Sequence, residues 1–169
     1  MKIFLDMDGC LTAFDPMVKT LGSKASEGLS EEATDSQKQA MYDAIEEAGL
    51  KFWSTMPWKN DGKSLWTLVK PFNPVLLSSP GKFSFAENGK LLWIKRNIPG
   101  TTVYFSNSKS EYVDPYDTSI LIDDMKKNIS AWEEAGGVGI LHTSTENTER
   151  IFLELVWDVP HIDPSQKYW

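Results

Sequence analysis

The chain has 169 residues, 41% hydrophobic and 24% charged, the size and composition of one soluble domain with room for an inserted piece. Lysine and arginine total 17 against 24 acidic residues, a net charge of −7. That charge removes any general attraction to nucleic-acid polymers or anionic membranes and leaves small anions, held by local means, as the partners to expect. A single cysteine, Cys10, excludes an internal disulfide and a zinc site of several thiolates. No apolar run approaches the ~18 residues of a membrane span, and the first residues lack the pattern of a signal peptide; the expectation is a reduced, cytoplasmic setting.

Residues 1–5 form a short apolar run that predicts a buried strand, broken at Asp6-Met7-Asp8-Gly9. A helix follows over 36–48, with Ala40, Met41, Ala44, Ile45 and Ala48 on one face and Gly49 past its end. Next come a loop rich in aromatics (Phe52, Trp53, Trp58) and a short helix holding Leu65, Trp66, Leu68 and Val69. Further strands are predicted at 74–77, 102–105, 119–122 and 138–141, each bounded by Gly, Pro, Ser or Asp. Helices between or after them span 88–98, 126–135 and 148–156. The first of these places Leu91, Leu92, Trp93, Ile94 and Ile98 at helix-compatible spacing and stops at Pro99-Gly100. Strands that alternate with helices give an α/β fold with a parallel sheet. The gap between the first two strands is too long for a simple crossover. It indicates a small inserted helical cap over 15–72, with 1–14 and 73–169 as the core. Residues 158–169, with Pro160 and Pro164, are expected to wrap the surface.

Ligands of open α/β sheets bind beyond the carboxyl ends of the strands. Asp6 and Asp8 follow the first strand, Ser78 ends the second, Lys109 lies in the loop after the third, and Asp123-Asp124 ends the fourth. Each alone has an ordinary reading as a turn, a cap or a surface charge. At matching ends of parallel strands they form a set. Carboxylates meeting in one crevice repel one another and raise each other's pKa. A hard cation such as Mg²⁺ relieves that repulsion and attracts a phosphate that bare carboxylates would reject. A lysine and a serine hydroxyl can then hold the phosphoryl oxygens, and a carboxylate can accept the phosphoryl group covalently.

The segments Asp6-Met7-Asp8-Gly9-Cys10-Leu11-Thr12, Leu76-Leu77-Ser78-Ser79, Lys109 and Ile120-Leu121-Ile122-Asp123-Asp124, in that order, resemble the four motifs of the haloacid dehalogenase-like phosphatase superfamily. Phe14, Phe52-Trp53, Met56-Pro57 and Trp93-Ile94 extend the resemblance to the 5′(3′)-deoxyribonucleotidases. The likeness implies a Rossmann-like three-layer core and a Mg²⁺-dependent phosphomonoester hydrolase. In it Asp6 is the nucleophile and Asp8 the acid and base. Asp6, the Asp8 carbonyl and Asp124 would hold the metal, with Asp123 behind them, although the order within the Asp123-Asp124 pair stays open. Ser78 and Lys109 would bind phosphate. Phe14, Phe52 and Trp53 would wall a base pocket, making a nucleoside monophosphate the expected substrate. Met125-Lys126-Lys127 stands where that family commonly has an Arg-Pro or similar polar pair. Sugar phosphates, 3′-phosphate ends of nucleic acids and a catalytically silent binding role are the alternatives. Cys10, Trp66 and His142 have structural readings, and Lys95, Lys126 and Lys127 are expected in solvent.

Overall fold

The fold is an α/β sandwich built on a five-stranded parallel sheet in the order β3-β2-β1-β4-β5, seen in a computed structural model that describes residues 1–157. The strands are β1 (Lys2–Leu5), β2 (Val75–Ser78), β3 (Val103–Phe105), β4 (Ser119–Asp123) and β5 (Val138–Leu141). All five apolar runs are therefore strands, with ends displaced by no more than a residue. Pro74 stays outside β2, as a residue without an N–H should. The register sets Leu5 opposite Leu76 on one side and Ile122 on the other. The carboxyl ends of β1, β2 and β4 thus lie level.

Both faces of the sheet are covered, which is why the strands read as continuous apolar runs rather than alternating ones. Alternate residues nonetheless part cleanly. Ile3, Leu5, Leu76, Ile120, Ile122 and Ile140 enter the larger core, together with Trp93, Ile94 and Phe152. Phe4, Leu77 and Leu121 point to the other face, against Ile129 and Trp132 of helix 126–134. The helices are α1 (Phe14–Lys19), α2 (Ser23–Glu27), α3 (Asp35–Ser54), α4 (Gly62–Val69), α5 (Ser84–Asn97), α6 (Lys126–Glu134) and α7 (Thr145–Trp157). Two short 3₁₀ turns, Lys70–Phe72 and Lys109–Tyr112, complete the described elements. No described helix is long and apolar enough to cross a membrane. The expectation for 158–169 lies outside the described residues.

Four helices depart from the sequence reading: α1 and α2 are not among the predicted elements, and α3 and α5 differ in extent or in the face they bury. Thr34 and Gln37 form a reciprocal cap at the start of α3. Gly49 then takes φ +61°, a backbone that glycine adopts freely. The chain does not become a loop there. A further helical turn forms and buries Phe52 and Trp53. In α5 the buried stripe is Ala86, Gly89, Lys90, Trp93 and Ile94, while Leu91 and Leu92 face outward. Gly89 permits close approach of α3 and α5, since a Cβ there would lie 2.5 Å from that of Trp53. Trp93 donates to the Met56 carbonyl at 2.7 Å and packs on Trp58. Leu91 and Leu92 thus yield the inner face to a lysine and a glycine because the α3 contact needs a small residue and the strand ends need a cation.

The stretch between β1 and β2 does two jobs. Residues of α1, of α3 and of the segment after α2 form a wall facing the carboxyl ends of the strands. By contrast, α4 packs beside α7. Asp61, just before α4, accepts hydrogen bonds from the Thr145 amide and hydroxyl, at 2.9 Å and 3.3 Å.

Candidate active site

The loop after β1 is held by its own backbone. The Asp6 amide continues the ladder to Ile122 at 2.9 Å, and the amides of Leu11 and Thr12 both reach the Met7 carbonyl. Gly9 has φ +85°, and a Cβ at that position would overlap the Asp124 carboxylate. The glycine thus lets the first loop press against the end of β4. Asp6 is buried and Asp8 partly so. The Thr12 hydroxyl donates to Oδ1 of Asp8 at 3.0 Å.

Lys109, at the start of the turn after β3, sends its ammonium to Oδ1 of Asp6 at 2.6 Å and to Oδ2 of Asp123 at 2.5 Å. Asp123 is completely buried. Both of its oxygens are engaged, by Lys109, by the Met125 amide at 2.8 Å and by the Asn128 side chain at 3.0–3.1 Å. Asp124 differs: its Oδ1 is buried without a hydrogen-bond partner. Ligand atoms of Asp6, Asp124 and Cys10 lie within 4.8 Å of one another. Burial pushes Asp6 up to about 7, with the charges of Asp123 and Asp8 adding to it and Lys109 opposing. Burial, reinforced by Asp123, likewise raises Asp124 to about 6. For Lys109 burial works against the charge, but Asp6 and Asp123 outweigh it and hold the ammonium above its ordinary value. Burial, followed by Asp6 and Asp124, keeps Cys10 a thiol.

The pair Asp6 and Asp124 fits a small divalent cation: two crowded carboxyls, one carrying an orphaned oxygen, share a rim with nearby phosphate-sized space. Hard oxygen ligands of this kind suit Mg²⁺. A neutral, buried thiol is no ligand for it, so Cys10 is a packing neighbour. Asp123 is held by Lys109, Asn128 and the Met125 amide, whereas Asp124 lines the cavity.

A second lysine was not visible as a site residue in the sequence. Lys90 of α5 is 1% exposed, and its ammonium lies 2.6 Å from Oδ2 of Asp8, 2.7 Å from the Ser79 carbonyl and 3.0 Å from Oγ of Ser78. The signal that could have found it is a cation four residues after Ala86 and four before Ile94, on the buried stripe of the helix. Ser78 faces Lys90 and is wholly buried, so its side chain does not line the cavity. The residue that does is Ser79, whose hydroxyl donates to Oδ1 of Asn107 at 2.8 Å.

The cavity has a volume of about 480 Å³ and is lined by Asp6, Asp8, Ser79, Asn107, Lys109 and Asp124 on the strand side and by Phe14, Met41 and Tyr42 opposite. A side lobe of about 400 Å³ shares Asp8, Phe14, Tyr42 and Asn107 and adds Trp53, Lys82, Phe83 and Lys90. Of the three expected aromatic walls, Phe14 and Trp53 line these spaces. Phe52 does not: it is buried behind them, its ring edge-on to both at 5.7 Å and 5.0 Å. Tyr42, a residue the sequence reading did not single out, supplies a face in its place. Lys126 and Lys127 are both exposed, as expected, and Lys127, with Met125, also borders the main cavity. His142 lies away from it, bonded to Thr148 at 2.8 Å.

Neither protein-family models nor curated proteins give a match to the sequence. Solved structures do. A hydrolase from Pseudomonas syringae aligns with TM-score 0.51 and 12% identity over 94% of this chain and 98% of that one. A haloacid dehalogenase-like family hydrolase from Streptococcus pneumoniae aligns with TM-score 0.54 and 14% identity over 93% and 97%. At such identities the likeness is one of fold, and it covers nearly the whole of each chain.

Proposed function

We propose that this chain, which has the fold of the haloacid dehalogenase-like hydrolases, is a Mg²⁺-dependent phosphomonoester hydrolase that works through an aspartyl-phosphate at Asp6. The observation that carries the reading is the meeting of Asp6, Asp8, Lys109 and Asp124 on one cavity. That cavity lies beyond the adjacent strands β1 and β4, where the strand order reverses.

Each side chain then has a task. Asp6 attacks phosphorus; a carboxylate–phosphorus bond forms as the ester P–O bond breaks. Asp8 gives its proton to the departing alkoxide oxygen and later takes one from the water that attacks the aspartyl-phosphate, which frees Asp6 and inorganic phosphate. Lys109, with two of its hydrogens on Asp6 and Asp123, has a third for a phosphoryl oxygen. Ser79, Ser106 and Asn107 supply further polar groups on that wall. Asp6, the Asp8 carbonyl and Asp124 would hold Mg²⁺, which when bound neutralises phosphoryl charge. The Asn128 and Met125 contacts to Asp123 keep Lys109 in register with the nucleophile.

For substrate we favour nucleoside monophosphates. Phe14 and Tyr42 offer ring faces beside the phosphate end of the cavity, with Trp53 packed against Phe14 at 5.8 Å as its backing, and stacking accepts any base. The test is a panel of nucleoside 5′- and 3′-monophosphates and small phosphosugars, with and without Mg²⁺. We expect Mg²⁺-dependent release of phosphate, fastest from nucleotides. Tyr42→Ala should lower kcat/KM for nucleotides by roughly 5–100-fold, the value of one stacked base, with little change for a phosphosugar. Faster turnover of phosphosugars, unaffected by Tyr42→Ala, would replace the nucleotide by a sugar phosphate.

A further inference from the structure

We infer that Lys90 is a positioning residue for the proton-transferring group: it fixes the Asp8 carboxyl in the orientation needed to reach the leaving-group oxygen. The inference rests on the phosphatase reading and adds to it a residue with no place in the motif set.

Three observations lead there. An ammonium has three hydrogens to donate, and Lys90 has three acceptors within 3.0 Å: Oδ2 of Asp8, the Ser79 carbonyl and Oγ of Ser78. None is left for a phosphoryl oxygen, in contrast to Lys109. Second, Asp8 is gripped at both oxygens, by Lys90 at Oδ2 and by the Thr12 hydroxyl at Oδ1. A partly exposed carboxylate at a loop tip would otherwise sample several rotamers. Third, Lys90 itself cannot swing: it is 1% exposed and its ammonium sits 4.8 Å from the ring centre of Trp53. Burying a lysine is costly unless it is paired and hydrogen-bonded. Its place on the inner stripe of α5, with all three acceptors at the strand ends, points to a task at the site rather than to packing. Ser78 then serves as the third acceptor for Lys90, which accounts for its burial away from the cavity.

The consequence is specific to the leaving group. Breaking the bond to an alkoxide needs the Asp8 proton; breaking the bond to p-nitrophenolate, which leaves as a stable anion, does not. The value of kcat/KM reports only the steps up to formation of the phosphoenzyme. We expect Lys90→Met to lower kcat/KM for an alkyl phosphate such as glycerol phosphate by about 100-fold or more, the worth of general acid catalysis. The loss for p-nitrophenyl phosphate should stay below about 5-fold, on the same principle. Equal losses on both substrates would make Lys90 a phosphate ligand or a packing residue and overturn the inference. Because Lys90→Met also takes away a partner of the Asp8 carboxyl, Asp8→Asn and the double variant complete a cycle. Adding Lys90→Met to Asp8→Asn should cost nothing further on either substrate. A further tenfold fall in the double variant would show that Lys90 acts independently of Asp8. Should the wild-type protein release phosphate from neither substrate with Mg²⁺, the phosphatase reading itself falls and takes this inference with it.

Discussion

Exchanging Asp6 for asparagine is expected to reduce Mg²⁺-dependent phosphate release by at least ~10⁴-fold, the scale on which removal of a covalent nucleophile is felt, while the melting temperature holds or rises. Both halves follow from the same geometry. The side chain that attacks is buried, and its charge is opposed by burial and by Asp123 and Asp8. An amide of the same shape lifts that opposition and leaves Lys109 paired with Asp123 at 2.5 Å. Steady-state phosphate release and a thermal melt on the same preparation check the pair of outcomes. More than a few per cent of residual turnover would argue against covalent catalysis at this residue.

Lys109→Met is expected to harm both activity and fold. The ammonium is shared by Asp6 and Asp123, all three side chains being less than a tenth exposed. Removing one partner of a buried ion pair typically costs about 3–5 kcal/mol, because the charge left behind has no compensation. Turnover should fall on the order of 10³-fold with the loss of a donor aimed at the transferring group. Urea unfolding measures the first and phosphate release the second. An unchanged unfolding midpoint would mean that Asp6 and Asp123 are neutral in the resting protein. Lys90→Met should not share this profile on p-nitrophenyl phosphate, which separates the two lysines experimentally.

The sheet was legible because a parallel sheet covered on both faces leaves a plain trace, short runs such as Leu76-Leu77 and Ile120-Leu121-Ile122 with polar residues at their ends. The positions of Asp6, Asp8, Lys109 and Asp123-Asp124 followed from those ends. What the sequence hid was tertiary in origin. Leu91 and Leu92 looked like core and are exposed, because α5 meets α3 through Gly89 and meets the strand ends through Lys90. Helical continuation past Gly49 depends on the burial of Phe52 and Trp53, not on local propensity. The choice between Ser78 and Ser79 turned on the alternation of side chains at the end of β2, where a shift of one residue reverses the face. Asp123 and Asp124 could be told apart only by their hydrogen bonds: one is saturated by Lys109, Met125 and Asn128, the other has a buried oxygen with none.

The central claim, transfer of the phosphoryl group to Asp6, is tested most directly by acid quench of the protein during turnover of a phosphomonoester with Mg²⁺, followed by borohydride reduction and peptide mass spectrometry. An acyl phosphate is reduced to the alcohol, so the account predicts homoserine at position 6, formed only when substrate and Mg²⁺ are both present. Turnover with position 6 unmodified under these conditions, or with the reduced residue found at Asp8 or Asp124 instead, would contradict it.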